Sequence, residues 1–166
     1  QCEHLSYELV MLKEGKMSSR AGNVILFEDI MEDAIEKAKK ISQDSAKDVA
    51  IAALKYSMLS HDSSRVIVFD ADEAMSFEGD TGPYLIYTYA RSKSILRKAG
   101  YKKTRLIKIN NLDNLEKNLV LQLNSFPEVV FNAYNNLAPN LIANYAFQLA
   151  QTFNEFYHSS KVIGSD

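Results

Sequence analysis

Between Gly15 and Asn23 the chain reads Gly-Lys-Met-Ser-Ser-Arg-Ala-Gly-Asn, a polar stretch with a glycine near each end. Lys16 and Arg20 carry two fixed positive charges, and Ser18 and Ser19 carry hydroxyl donors. Glycine allows backbone N–H groups to approach a ligand closely. Cations and donors gathered in this way suit a polyphosphate whose charge grows in a transition state. The plainer alternative for such a composition is an exposed turn.

A second group of residues could bind rather than react. Tyr84, Tyr87, Arg91, Ser94 and Lys98 are spaced by three and four, so a helix would bring them to one face. Flat rings stack on unstacked RNA bases, and neighbouring cations meet phosphates. The alternative is a tyrosine stripe turned into the core. Charge bears on the choice in two ways. A net charge of −2 argues against a nucleic-acid binder. Yet eight of the 19 basic residues lie between Arg91 and Lys108, and no acid occurs between Asp80 and Asp113. The remaining 11 basic residues face 21 acids. Such asymmetry is an electrostatic footprint that phosphate commonly fills, although a solvated helix face with a lysine-rich loop has the same composition.

The elements that must position these residues are mostly helical. Tyr7, Leu9 and Met11 alternate in a weak strand pattern before the polar stretch, a strand that requires a sheet from outside this sequence. Residues 28–41 form a helix with Met31, Ala34, Ile35, Ala38 and Ile41 on one stripe, acids early and lysines late. A second helix runs from about Ala46 to Ser60, capped by Asp44 or Ser45 and apolar over a wide arc. Val66 to Phe69 is extended, and Asp70 caps a helical segment over 71–77. Gly79, Gly82 and Pro83 make a tight loop feeding a helix from about Pro83 to Ala99, which stops at Gly100. On that helix Leu85, Tyr89, Ser92, Leu96 and Ala99 form the better core stripe. After a polar connector over 101–114, a helix spans 115–124, and Ser125 with Glu128 reads as a capping box for the next. Pro139 opens the last helix, whose buried stripe is Leu141, Ile142, Tyr145, Leu149, Phe153 and Phe156.

Other chemistry finds little support. One cysteine, Cys2, forms no internal disulfide and no metal site, which fits a reducing, cytoplasmic setting. No apolar run approaches the roughly 20 residues needed to span a membrane. His61 beside Asp62 has no third partner and reads as a helix end, as does His158, while His4 has no partner that can be named. The first residues show neither an initiator methionine nor a signal-peptide pattern, so a cut inside a longer protein is expected.

Lys16-Met17-Ser18-Ser19-Arg20 resembles the Lys-Met-Ser-Lys-Ser (KMSKS) signature of class I aminoacyl-tRNA synthetases. With Ala21-Gly22-Asn23-Val24-Ile25 after it, the stretch is similar to the arginyl-tRNA synthetase form. Ser19 stands where the general signature has its second lysine, and Arg20 comes one position late. The run Met75 to Arg91, ending in Ile95-Leu96-Arg97-Lys98-Ala99-Gly100, resembles the start of that family's DALR-type anticodon-binding domain. The likeness continues in Ser125-Phe126-Pro127-Glu128-Val129-Val130, in residues 141–150 and in Phe153-Asn154-Glu155-Phe156-Tyr157-His158.

The resemblance implies a mainly α fold, a helical bundle preceded by the signature loop and the tail of a Rossmann catalytic domain. It divides the chain into residues 1–27 (catalytic-domain tail), 28–69 (connecting helices) and 70–166 (anticodon-binding bundle, cut short at its end). The rest of the catalytic domain would precede Gln1. It implies an ATP-dependent arginine–tRNA ligase that uses Mg2+ and transfers arginine to its tRNA. Lys16, Ser18, Ser19 and Arg20 would then assist pyrophosphate departure, and Tyr84, Tyr87, Arg91 and Lys98 would contact tRNA. Without an amino-acid pocket, the chain alone is expected to be inactive. The rival readings are a helical tRNA-binding module outside any enzyme, a related class I synthetase such as the cysteinyl enzyme, and a helical scaffold for protein partners. Nothing in the sequence fixes an oligomeric state.

Overall fold

The computed structural model describes residues 4–13, 26–102 and 111–163. The polar stretch with Lys16, Ser18, Ser19 and Arg20 lies outside those residues, as do Cys2, Lys103, Arg105 and Lys108. The described chain is mainly helical, as the resemblance implies. Two short strands, β1 (Val10–Leu12) and β2 (Ile67–Phe69), flank the helices α1 (Phe27–Lys39) and α2 (Ala46–Leu59). A short turn of helix, α3 (Ala71–Ala74), then leads to α4 (Gly82–Lys98). The chain ends in α5 (Asn114–Asn124), α6 (Phe126–Asn135) and α7 (Asn140–Ser159).

The first strand finds its partner inside the chain, which corrects the expectation that its sheet must lie elsewhere. β1 pairs in parallel with β2, with Val10 opposite Ile67 and Leu12 opposite Phe69. Glu8 and Ile67 extend the ladder by donating to the carbonyls of Ser63 and Leu9. Strand pairing over more than fifty residues leaves no local trace, so periodicity could not reveal it. Only one face is covered: Phe69 is buried, whereas Tyr7, Leu9 and Val68 are exposed.

The first core joins α1, α2, β2 and α3 through Ala34, Ala38, Val49, Ala50, Ala53, Leu54, Phe69 and Met75. Alanine predominates in it, and small side chains let helix axes come close. The α1 sequence suits its dipole, with Glu28 and Asp29 in the first turn and Lys37 and Lys39 in the last. Asp29 also accepts a hydrogen bond from the Leu26 N–H at 3.1 Å. Asp70 caps α3 as expected, accepting from the N–H groups of Asp72 and Glu73. The helix stops at Ala74 rather than near Phe77, because the chain turns there into the glycine loop.

That loop sets the angle between the first core and the bundle. Gly79 has φ of 81°, a left-handed conformation that favours glycine. Thr81 caps α4, its hydroxyl oxygen accepting from the Tyr84 N–H at 3.3 Å while donating to the Ser76 carbonyl at 2.6 Å. Gly82 lies directly on the α2 backbone, where an added Cβ would fall 2.1 Å from the Ala52 carbonyl oxygen. Tyr56 of α2 closes the same joint by donating its hydroxyl proton to Asp80. Burial, together with that carboxylate, holds the Tyr56 phenol pKa well above its ordinary value. At its far end α4 stops as expected: Gly100 has φ of 60°, and the Tyr101 N–H returns to the Leu96 carbonyl.

Three expectations about the bundle require correction. The stripe assigned to the core of α4 is largely open, with Tyr89 63% and Leu96 44% exposed. Helix α7 packs on the side carrying Tyr84, Thr88 and Arg91, and Leu85 and Tyr89 line an apolar groove between α4, α5 and the adjoining face of α7. Ser125 does not form a capping box either. It continues α5 in helical conformation, and its hydroxyl donates back to the Gln122 carbonyl at 2.8 Å. The capping box belongs to α5: Asp113 accepts from the Glu116 N–H, and Glu116 accepts from the Asp113 N–H. On α7 the buried residues are Tyr145, Ala150 and Asn154, so the predicted apolar stripe is centred slightly off the real one.

Candidate nucleic-acid interface

Helices α4 and α7 run side by side in the same direction, with Tyr84 against Phe147 at one end and Arg91 against Tyr157 further along. Their paired C-terminal halves frame an open pocket of about 610 Å³. Tyr87, Arg91, Ser94 and Lys98 line it from α4, and Tyr157 and Lys161 line it from α7 and the residues beyond. Three of the four predicted tRNA contacts therefore meet in one place. The three-and-four spacing on α4 is what collects them.

Arg91 is the centre of the arrangement. Its guanidinium carbon lies 4.7 Å from the centroid of the Tyr87 ring and 4.8 Å from that of Tyr157. One terminal nitrogen donates to the Asn154 side-chain oxygen at 2.6 Å, and the other donates to the Tyr87 hydroxyl at 2.9 Å. Every one of these partners is neutral. The electron-rich ring faces and the amide dipole stabilise the cation without cancelling its charge. Among the described residues the ion pairs lie elsewhere, joining Lys13 to Asp70 and Lys37 to Asp33 and Asp72.

Tyr84 occupies a different place from the one its spacing suggests. It is half-buried, its ring packs on Phe147 at 5.6 Å, and its hydroxyl accepts from the Asn154 amide at 2.9 Å. Tyr87 is 48% exposed where it lines the pocket. Lys98 is exposed at the pocket rim. Lys93 lies 5.9 Å from the Tyr89 ring, on the side of α4 away from the pocket.

Asn154, Tyr157 and Lys161 escaped the sequence reading of the site. Asn154 did leave a signal, since a polar residue sits four positions after Ala150 inside an apolar stripe, and buried polar groups are the informative exceptions. Tyr157 left none, because its pairing with Arg91 is a contact between distant helices.

Among the described residues no group of three or more His, Cys, Asp or Glu side chains could hold a metal ion. No helix among them is long and apolar enough to cross a membrane.

Residues 85–166 match the family model of the DALR anticodon binding domain. An arginine–tRNA ligase of Flavobacterium psychrophilum is 38% identical over 98% of this chain and 29% of its own length. One from Clostridium acetobutylicum is 36% identical over 97% of this chain and 30% of its own. The chain thus spans less than a third of the curated relatives it matches. Among solved structures, Thermus thermophilus arginyl-tRNA synthetase superposes with a TM-score of 0.85 at 33% identity, over 98% of this chain and 28% of that one. The Plasmodium falciparum arginyl-tRNA synthetase shares the fold, with a TM-score of 0.77 at 23% identity over 97% of this chain and 29% of that one.

Proposed function

This chain belongs to the arginyl-tRNA synthetase family, and on that premise we propose that it is the tRNA-binding part of an ATP-dependent arginine–tRNA ligase. The observation that carries the proposal is a coincidence of place. The stretch similar to the anticodon binding domain holds the pocket where a cation lies between two tyrosines with lysines at the rim. An anticodon loop presents unstacked bases and closely spaced phosphates, and such a surface is complementary to both. The exposed face of Tyr87 takes a base, and Arg91 and Lys98 meet phosphate oxygens. Tyr84 serves the same interface from beneath, through its hydrogen bond with Asn154.

The division proposed for the chain keeps residues 1–27 with the catalytic domain, 28–69 as connecting helices and 70–166 as the anticodon-binding bundle. In the whole ligase Lys16, Ser18, Ser19 and Arg20 stabilise the pyrophosphate that leaves ATP as arginine is adenylated, a purely electrostatic contribution. Mg2+ would accompany the ATP and add to the charge stabilisation of the leaving pyrophosphate. The reaction belongs to the cytoplasm, where charged tRNA is consumed. Alone, the 166-residue chain has no arginine-dependent exchange of pyrophosphate into ATP. Measurable exchange by the purified chain would contradict this.

The test of the binding function compares arginine tRNA with the same tRNA carrying an altered anticodon, at one moderate salt concentration. Tighter binding of the unaltered tRNA supports anticodon reading. Equal binding of both, with affinity following salt alone, reduces the surface to a nonspecific phosphate grip.

A further inference from the structure

Asn154 is the one buried polar side chain of α7 among the described residues, and each of its polar atoms is engaged. Its oxygen accepts from Arg91 at 2.6 Å, and its amide nitrogen donates to the Tyr84 hydroxyl and to Thr88 Oγ1, both at 2.9 Å. Thr88 is buried too, and its own proton goes to the Tyr84 carbonyl at 3.0 Å. The Arg91 guanidinium has only donors, so it needs an acceptor on α7, and only the oxygen end of Asn154 supplies one. That requirement fixes which way the amide points. The nitrogen is left facing the Tyr84 and Thr88 hydroxyl oxygens, which can accept.

Arginine in a partly buried site is ordinarily held by a carboxylate, bidentate and charge-neutralising. Here the same position is filled by the neutral isostere of aspartate. We infer that Asn154 is the positioning residue of the interface: it locks the Arg91 guanidinium between Tyr87 and Tyr157 while leaving its positive charge undischarged for an RNA phosphate. A carboxylate would hold the guanidinium equally well and cancel what the site offers. A shorter neutral residue would keep the charge and lose the placement. Asn154 satisfies both demands. The inference rests on the tRNA-binding reading above and adds to it which residue tunes the site.

The test measures affinity of the 166-residue chain for an arginine tRNA transcript across a salt series. Each phosphate contact on single-stranded nucleic acid contributes about 0.7 to the slope of log affinity against log salt. Arg91→Gln sets the reference for a lost contact. Asn154→Asp is expected to lower affinity and to reduce the slope by the same amount as Arg91→Gln, with no further change when the two are combined. Asn154→Ser, too short to reach Arg91, is expected to lower affinity with the slope kept. A merely structural role would move the melting temperature and leave the slope at its wild-type value.

An unchanged slope in folded Asn154→Asp, where Arg91→Gln does reduce it, overturns the inference and leaves the tRNA-binding reading standing. Should Asn154→Asp fail to fold, wild-type affinity in Asn154→Ser overturns it instead. Should Arg91→Gln itself leave affinity and slope unchanged, the reading of the pocket as the RNA site fails, and the inference fails with it.

Discussion

The tyrosine at position 87 shows how one side chain can serve two purposes. Its hydroxyl and ring hold Arg91, while about half of its surface stays open to solvent. Stacking on an aromatic side chain contributes about 1–3 kcal/mol per base by alanine substitution. Tyr87→Ala should therefore weaken tRNA binding by at least roughly fivefold to tenfold in a filter-binding or fluorescence titration, and unaltered affinity would remove Tyr87 from the interface. A different residue-scale consequence concerns acid. The Lys13 ammonium, donating at 2.6 Å, and the N–H groups of Glu73 and Asp72 hold the Asp70 carboxyl below the usual aspartate range. Because the folded value is depressed, the stability it contributes is complete above the unfolded pKa and is lost as pH falls through the folded one. Asp70→Asn should flatten the loss of melting temperature below about pH 4, the ordinary aspartate range. An acid limb identical to wild type would show that Asp70 plays no part in it.

At the scale of elements, the joint between α2 and α4 is the least forgiving contact. Gly82 touches backbone, and backbone cannot rotate away from an intruding methyl group. Gly82→Ala should cost about 1–3 kcal/mol, the range for forcing one extra carbon into a packed site. A urea midpoint equal to that of the wild type would contradict the close approach. What could be read from sequence at this scale follows from local chemistry. The ends of α4 were legible because Gly79, Pro83 and Gly100 each mark a backbone state that only a few residue types adopt readily. The first turns of α1 and α3 were legible for an electrostatic reason, since Glu28 and Asp29 suit a helix N-terminus and Asp70 can cap one. The side of α4 that α7 would choose was not. Two stripes on α4 compete, one with Leu85, Tyr89 and Leu96, the other with Tyr84, Tyr87 and Arg91, and apolarity favours the first. The second is covered because Asn154 satisfies Thr88 and Tyr84 there, a pairing between residues more than sixty positions apart. The β1–β2 ladder and the Tyr157–Arg91 contact were hidden in the same way.

Taken whole, the molecule has two packed regions with distinct surfaces. The first, around α1 and α2, carries the internal ion pairs and the short parallel sheet. The second, from α4 onward, carries most of a cluster of cations with no acid nearby in sequence. This segregation gives a chain of net charge −2 a locally basic stretch, and it suits the second region to phosphate, as the proposed function requires. On the proposed reading, the α4–α7 pocket is the part of that surface that takes the anticodon loop. The most direct measurement is a hydroxyl-radical footprint of arginine tRNA in the presence of the chain, repeated with Tyr87→Ala. Protection centred on the anticodon loop, weakened by the substitution, is the expected result. Protection spread evenly along the tRNA, or centred elsewhere and indifferent to Tyr87, would contradict the assignment of this face to the anticodon.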